Sequence, residues 1–280
     1  MAPRQGEVGN REPAGSGSSE VPADDYRRRI FDHYVSTTYT HRADLSEAGV
    51  RRNARNHHRL IGRFLPEVKD EPILEIGSGN GGLLLCLREQ GYTDVTGLDI
   101  SPEQVELSHA RGFDNMQCAD GLEFLLGCSR EFGLIVMSDV LEHLPKAQVL
   151  ETLVQANAHL RAGGRIILRV PNMSNPLNVR TRYVDLTHEV GFSKETLQQV
   201  LRVAGFEVET VHGAFQTHQR WWMRFLFDIL LWRLFQVVHK RVLHLPAEVV
   251  RGKNLVAVGR KPASAPVEPR RERPREEPER

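Results

Sequence analysis

Cysteine is scarce in this chain: Cys86, Cys118 and Cys128 are odd in number and lie in no C-x-x-C spacing. Neither a disulfide framework nor a zinc site is therefore indicated, and buried, reduced thiols in a cytosolic protein are expected. Net charge is nearly absent too, with 37 Lys and Arg against 36 Asp and Glu. Nothing in that balance invites nucleic acid, so any basic surface has to be local. No apolar segment follows the first residues, which argues against a secretory leader. No repeat or heptad array is evident. Residues 1–25, rich in Gly, Pro, Ser and Glu, and residues 262–280, which alternate Pro, Glu and Arg, contain almost nothing to bury. Both are expected to be disordered tails. The remainder, in a 280-residue chain that is 40% hydrophobic and 26% charged, suffices for one sizeable α/β domain with an insertion.

The chain is organised around residues 72–82, P-I-L-E-I-G-S-G-N-G-G. Ile73, Leu74 and Ile76 form an apolar run of buried-strand length, broken by glycines and followed by Leu83, Leu84, Leu85 and Leu87 at helical spacing. Strand, glycine loop and helix in that order direct unpaired backbone N–H groups at a ligand carboxylate, phosphate or ribose. Gly77, Gly79 and Gly82 fit the G-x-G-x-x-G of dinucleotide binding, and Asp99 ends the next apolar run at about the ~20-residue offset suited to ribose hydroxyls. Glu75 weighs against a dinucleotide. A carboxylate there gains nothing from a pyrophosphate, whereas it suits a loop holding a cationic amino-acid moiety.

From residue 72 onward strand and helix patterns alternate, the mark of a doubly wound, Rossmann-like parallel sheet. Strands are expected near 72–76, 94–99, 114–118, 132–137, 164–170, 206–212 and 254–260, and helices near 81–90, 102–110, 121–127, 146–160 and 193–204. Ser101-Pro102 reads as a helix cap followed by proline at the first turn. Before the sheet, residues 26–70 form an N-terminal helical cap. One helix runs from Asp24 or Asp25 through Phe31, and a second, about 48–65, carries Arg51, Arg52, Arg55, His57, His58, Arg59 and Arg63. Its cationic face is read as a solvated one.

Glu75, Gly77, Gly79 and Gly81 match E-x-G-x-G-x-G, and here the chain resembles the class I S-adenosylmethionine-dependent methyltransferases. The resemblance extends over residues 71–261. It implies a seven-stranded sheet, mostly parallel with the last strand antiparallel, and S-adenosylmethionine as cofactor. Expected cofactor contacts are Glu75, Gly77, Ser78, Gly79, Gly81, Asp99, Ile100, Asp120, Gly121 and Ser138. The adenine edge is implied at Asp120-Gly121, where ordinary turn chemistry is the alternative. The resemblance also places the N-terminal helices over the cofactor and substrate mouth, with Tyr34, Tyr39, His57 and His58 as pocket-wall candidates.

The fourth strand runs into S-D-V-L-E-H-L, residues 138–144, a second stretch with a specific likeness to small-molecule methyltransferases. Asp139, Glu142 and His143 collect at a strand's carboxyl end, where ligands bind in open α/β sheets. A helical turn after Ser138 would set Asp139 on one face with Glu142 and His143. Methyl transfer to oxygen needs a base, and His143 is the first candidate, His188 the second, with Asp139 beside them. A quinone-type O-methyltransferase subgroup associates the equivalent acid-x-x-Glu-His with a metal. No metal is assigned here, and Glu142 and His143 are read as stabilising the turn.

After the fifth strand, D-L-T-H-E-V-G-F at 185–192 resembles a loop of methyltransferases from polysaccharide and cell-envelope biosynthesis clusters. Arg180, Arg182, Tyr183, Asp185, His188 and Glu189 suit a sugar or phosphorylated acceptor, with a plain surface loop as the alternative. The helical insertion at 213–252 contains residues 221–238, 14 of 18 apolar and broken by Arg224, Asp228, Arg233 and Gln236. It is a poor membrane span but suits a lid, a buried hairpin or peripheral membrane contact through 221–245. The expected function is O-methylation of a hydroxyl on a glycan, lipid-linked sugar or other small-molecule acceptor, in the cytoplasm and peripherally at the inner face of the membrane. Alternatives are a quinone or prenylated-aromatic O-methyltransferase, a non-catalytic membrane-associated cofactor binder, and a nicotinamide-dependent oxidoreductase.

Overall fold

The computed structural model describes residues 25–39, 44–175, 178–214, 232–241 and 252–263. β1 (Ile73–Ile76), β2 (Val95–Asp99), β3 (Met116–Cys118), β4 (Phe132–Ser138) and β5 (Leu160–Pro171) pair in parallel. β7 (Asn254–Arg260) slots antiparallel between β5 and β6 (Glu207–Ala214), giving the order β3-β2-β1-β4-β5-β7-β6. The doubly wound sheet with its reversed last strand is therefore the one the sequence led us to expect. Chain order reverses beside β1, and ligands collect at such a switch point.

Around the sheet lie α1 (Asp25–Phe31), α2 (Glu47–Ile61), α3 (Gly82–Glu89), α4 (Pro102–His109), α5 (Gly121–Gly127), α6 (Lys146–Ala158), α7 (Val179–Tyr183), α8 (Lys194–Val203) and α9 (Trp232–Arg241). The strand period of two splits the core into two layers. Leu74, Ile76, Ile135 and Met137 pack on the side of α5, α6 and α8 with Leu125, Leu153 and Leu201. Ile73, Leu134 and Val136 face Val50, Ala54, Leu83 and Leu87 of α2 and α3. Each fully buried aliphatic side chain contributes roughly 1.5–3 kcal/mol. Glu75 shares the face of Ile73, so its carboxyl is directed into the α2–α3 layer beneath the glycine bend.

Several expectations need correction. Helix α2 stops at Ile61 and ends in a tight turn, Gly62–Phe64. Strand β5 starts at Leu160, ahead of the expected 164, because Leu160 pairs with Phe132 before a register shift. Ser101 occupies the α4 cap position without a side-chain capping bond. Its own N–H donates to Asp99 Oδ1 at 2.9 Å, so Asp99 takes on the local bracing. Of the free thiols only Cys86 is buried, and Cys118 is exposed. Most of both expected tails, and the insertion at 215–231 and 242–251, lie outside the described residues.

Candidate active site

A cavity of about 940 Å³ opens where β1, β2, β4, β5 and β6 end. Its floor is the glycine bend. Gly77 has φ +76°, and a Cβ there would lie 2.3 Å from Val140 Cγ2, so only glycine fits. Gly79 is also left-handed, but a Cβ on it would meet nothing within 4 Å, so a ligand can approach its Cα closely. Its N–H donates to Asp99 Oδ2 at 2.8 Å. Asp99 thus accepts from Gly79 and Ser101, and a carboxylate has lone pairs left for two ribose hydroxyls. Burial raises its pKa, and those two backbone bonds oppose the rise.

Glu75 is 2% exposed, and its Oε2 has no hydrogen-bond partner. Burial pushes its carboxyl up to about 8, and nearby Asp99 adds to the rise. An orphaned buried carboxylate beside a second acid attracts a cation and repels a pyrophosphate, as a sulfonium-bearing amino-acid nucleoside requires. The residues present therefore fit S-adenosylmethionine. Asp120 Oδ1 caps α5 by accepting from Leu122 and Glu123 N–H at 2.9 and 3.1 Å, which realises the turn role while the residue still lines the cavity.

Opposite this floor, β4 ends in a kink. Asp139 is the one non-glycine residue with positive φ, 58°, among the described residues. Its N–H still donates to Arg169 O at 2.8 Å in the β4–β5 ladder, and its carboxylate forms an ion pair with the Arg169 guanidinium. The chain is therefore still strand-bonded at Asp139, and the helical turn begins only at Leu141. The expected i,i+3 and i,i+4 arrangement with Glu142 and His143 does not form, although all three residues line the cavity.

His143 is oriented by a relay. Thr187 Oγ1 donates to Asp185 Oδ1 at 2.6 Å, and Tyr34 donates to Asp185 Oδ2 at 2.8 Å. The Thr187 proton being committed, its oxygen can only accept from His143 Nδ1, 2.7 Å away. That fixes the tautomer and leaves a lone pair on His143 Nε2. His188 Nδ1 lies 2.9 Å from the Thr181 carbonyl, which only accepts, so its Nε2 is likewise a lone pair. The two rings are 4.7 Å apart. Burial, aided by His188, pushes His143 down to about 4, and burial also lowers His188. Burial raises the pKa of Asp185, but the bonds from Thr187 and Tyr34 outweigh it and keep the carboxyl below its ordinary range.

The expected cofactor contacts Glu75, Gly77, Ser78, Gly79, Asp99, Ile100, Asp120, Gly121 and Ser138 all line this cavity, as do Tyr34, His57 and His188. Gly81 sits behind the bend at the start of α3 against Phe113, and His58 is not part of the wall. The side chain of Tyr39 lies outside the described residues. In the loop before α8, Arg182 is committed to the carbonyls of His188 and Glu189, and Tyr183 is 80% exposed. Neither these two nor Arg180 and Glu189 line the cavity. Sequence reasoning missed Thr187, Arg169, His212, Lys253 and the cavity-facing row of α2. Only that row has a signal, the helical spacing of Arg52, Asn56 and Arg59, continued by Arg63 in the turn after α2.

A family profile described as a methyltransferase domain matches residues 40–211. The chain is 36% identical over 99 residues to a ribosomal protein L11 methyltransferase of Laribacter hongkongensis, covering 35% of this chain and 32% of that protein. It is 28% identical over 160 residues to the O-methyltransferase cnsE of Penicillium expansum, covering 54% and 57%. The chain thus spans about a third and somewhat over half of these curated relatives. A crystal structure of a SAM-dependent methyltransferase from Archaeoglobus fulgidus superposes with a TM-score of 0.58 at 20% identity, over 74% of this chain and 94% of that one.

Proposed function

The chain belongs to the methyltransferase-domain family, and on that premise we propose that it is a class I enzyme whose methyl donor is S-adenosylmethionine and that it methylates a hydroxyl oxygen of a glycan, a lipid-linked sugar or another small acceptor. The observation that carries the oxygen assignment is the Asp185–Thr187–His143 relay, which presents the Nε2 lone pair of a neutral imidazole at the cavity. The sulfonium already activates the methyl group, so the protein's task is in-line positioning and exclusion of water. As the methyl carbon bonds to the oxygen and the C–S bond breaks, the hydroxyl becomes strongly acidic. A weak base such as His143, held neutral by burial, then suffices to take its proton. The O-methyltransferase cnsE relative supports this choice of atom.

The test is incubation of the protein with methyl-labelled S-adenosylmethionine and a cell-envelope extract. Label in a glycan or lipid-linked sugar fraction is expected, and label in protein alone would overturn the acceptor assignment.

A second reading, methylation of a quinone-type hydroxyl, is favoured by one cluster. Glu142, His143 and His188 each offer a ligand atom, all within 4.8 Å of one another, and buried Glu142 Oε2 has no partner. Both imidazoles donate their other N–H to an oxygen, as metal-binding histidines do, so the donor set fits a divalent ion. Such an ion would polarise an acceptor hydroxyl, with the imidazoles serving as ligands in place of a base. Activity that survives chelation excludes this reading.

Place of action belongs to the same proposal: the cytoplasm, at the inner face of a membrane. Support comes from the free thiols and from α9, where Leu234 is 61% exposed, Val237 54% and Val238 40%. Exposed Arg233, Lys240 and Arg241 border that apolar stripe, which suits an anionic lipid surface. No described helix is long and apolar enough to cross a membrane. Co-sedimentation with phosphatidylglycerol vesicles, but not with phosphatidylcholine vesicles, is expected and should disappear in Val237→Glu.

A further inference from the structure

Two rows of α2 side chains and of the turn after it look into the cavity: Arg52, Asn56, Arg59 and Arg63, and beside them Asn53, His57 and Leu60. The rows begin level with the glycine bend, since a Cβ on Gly82 would lie 3.1 Å from Asn53 and 3.8 Å from His57. Arg63 lies six residues beyond His57, in the turn that follows the end of α2. There the cavity wall is completed by His212 near the end of β6 and by Lys253 and Asn254 at the start of β7. Burial lowers the pKa of His212, and the Arg63 guanidinium lowers it further, which marks positive potential at this end.

The cavity's acids are elsewhere. Glu75, Asp99 and Asp120 surround the bend, and Glu142 and Asp185 adjoin the imidazoles. Asp44 is paired with Arg52 at 3.0 Å, and Asp139 with Arg169. Among the described residues Arg63 and Lys253 have no acidic partner. Arg63 lies over the Phe64 ring at 4.5 Å, a stacking that leaves its in-plane donors available.

We propose that this far end of the cavity binds a phosphate group carried by the acceptor, through Arg63 and Lys253 with Arg59 and His212 beside them. The assignment rests on the methyltransferase reading of the same cavity and narrows its acceptor class. A carboxylate would neutralise a single cation, whereas a phosphate or pyrophosphate answers several and matches the guanidinium fork. The phosphate belongs either to a soluble sugar phosphate or to a lipid carrier, and the experiment separates the two.

Inorganic pyrophosphate is titrated by calorimetry into the full-length protein saturated with S-adenosylhomocysteine. Saturable binding that weakens with salt is expected, falling about tenfold or more in Arg63→Glu and in Lys253→Glu while S-adenosylhomocysteine affinity stays unchanged. Arg63→Lys keeps the charge but loses the planar fork, and is expected to bind more weakly than wild type yet more tightly than Arg63→Glu, which separates the loss of charge from a folding defect. Displacement of pyrophosphate by phosphatidylglycerol vesicles assigns a lipid phosphate, and displacement by a hexose 1-phosphate assigns a soluble one. Displacement by neither overturns the proposal. So does pyrophosphate binding that both charge reversals leave intact, or that excludes S-adenosylhomocysteine. Failure of wild-type protein to bind S-adenosylhomocysteine strikes the methyltransferase reading itself.

Discussion

The floor and the roof of the cavity are built in opposite ways. The floor, from Glu75 through Gly79 to Asp99, comes from two adjacent strands and the bend between them, held by backbone bonds to Asp99. The roof is assembled from distant segments: Tyr34, His143 and the 185–188 loop meet through side-chain bonds that span 44 and 151 residues of sequence. A floor made of local backbone geometry suits a cofactor shared across a family. A roof made of long-range side-chain contacts can change with the acceptor. The two halves should therefore fail differently when damaged.

Damage to the roof should be the larger in turnover. His143→Ala is expected to lower kcat by about 10²–10⁴-fold while S-adenosylhomocysteine affinity changes little. Equal losses in both, measured by steady-state kinetics and calorimetry, would remove the division of labour. In the floor, Glu75→Gln should weaken binding of sinefungin, a cationic analogue of the donor, by roughly 10–100-fold, the range for a lost charge-assisted bond. For a cationic ligand the sign of the pH effect is fixed. Glu75 must give up a proton held to about pH 8, so affinity in the wild type should fall as pH drops below that value, and this slope should vanish in Glu75→Gln.

Thr187→Val tests the joint between the relay and the base, and a kcat loss of about tenfold with unchanged cofactor affinity is expected, because the imidazole survives but its tautomer is no longer held. The smallest effect concerns stability. His143 titrates at about 4 in the folded protein and at its ordinary 6.5 when unfolded, so the unfolded chain takes up a proton that the native one refuses. Stability contributed by the neutral ring is present above pH 6.5 and is lost as pH falls towards 4. From pH 7 to pH 5, urea unfolding should show His143→Gln losing less stability than wild type by roughly 1 kcal/mol, after allowance for solvent screening.

The same division explains what could be read from the sequence. Each expected strand is present, and the glycine bend with Glu75 and Asp99 needed only local pattern. The bent end of β4 was not legible, because a left-handed aspartate has no marker as glycine does. The cationic face of α2 and the turn after it is largely exposed, as expected, and composition alone could not show that Arg52, Arg59 and Arg63 also border the cavity, since a cationic helix face along a polar cavity has the same composition as one facing water. In the 185–192 stretch His188 was singled out, but Thr187 was not, because its importance lies in a partner 44 residues away.

Strand β7 enters the sheet against the direction of its neighbours, so Arg260 emerges beside Arg165 and Glu207, at the margin remote from the chemistry. At the other end of the chain, Phe31 of α1 stands edge-on to His143 with 5.8 Å between ring centres. A substitution at Arg260 is therefore expected to leave the cavity undisturbed, whereas one at Phe31 reaches the imidazole through direct ring contact.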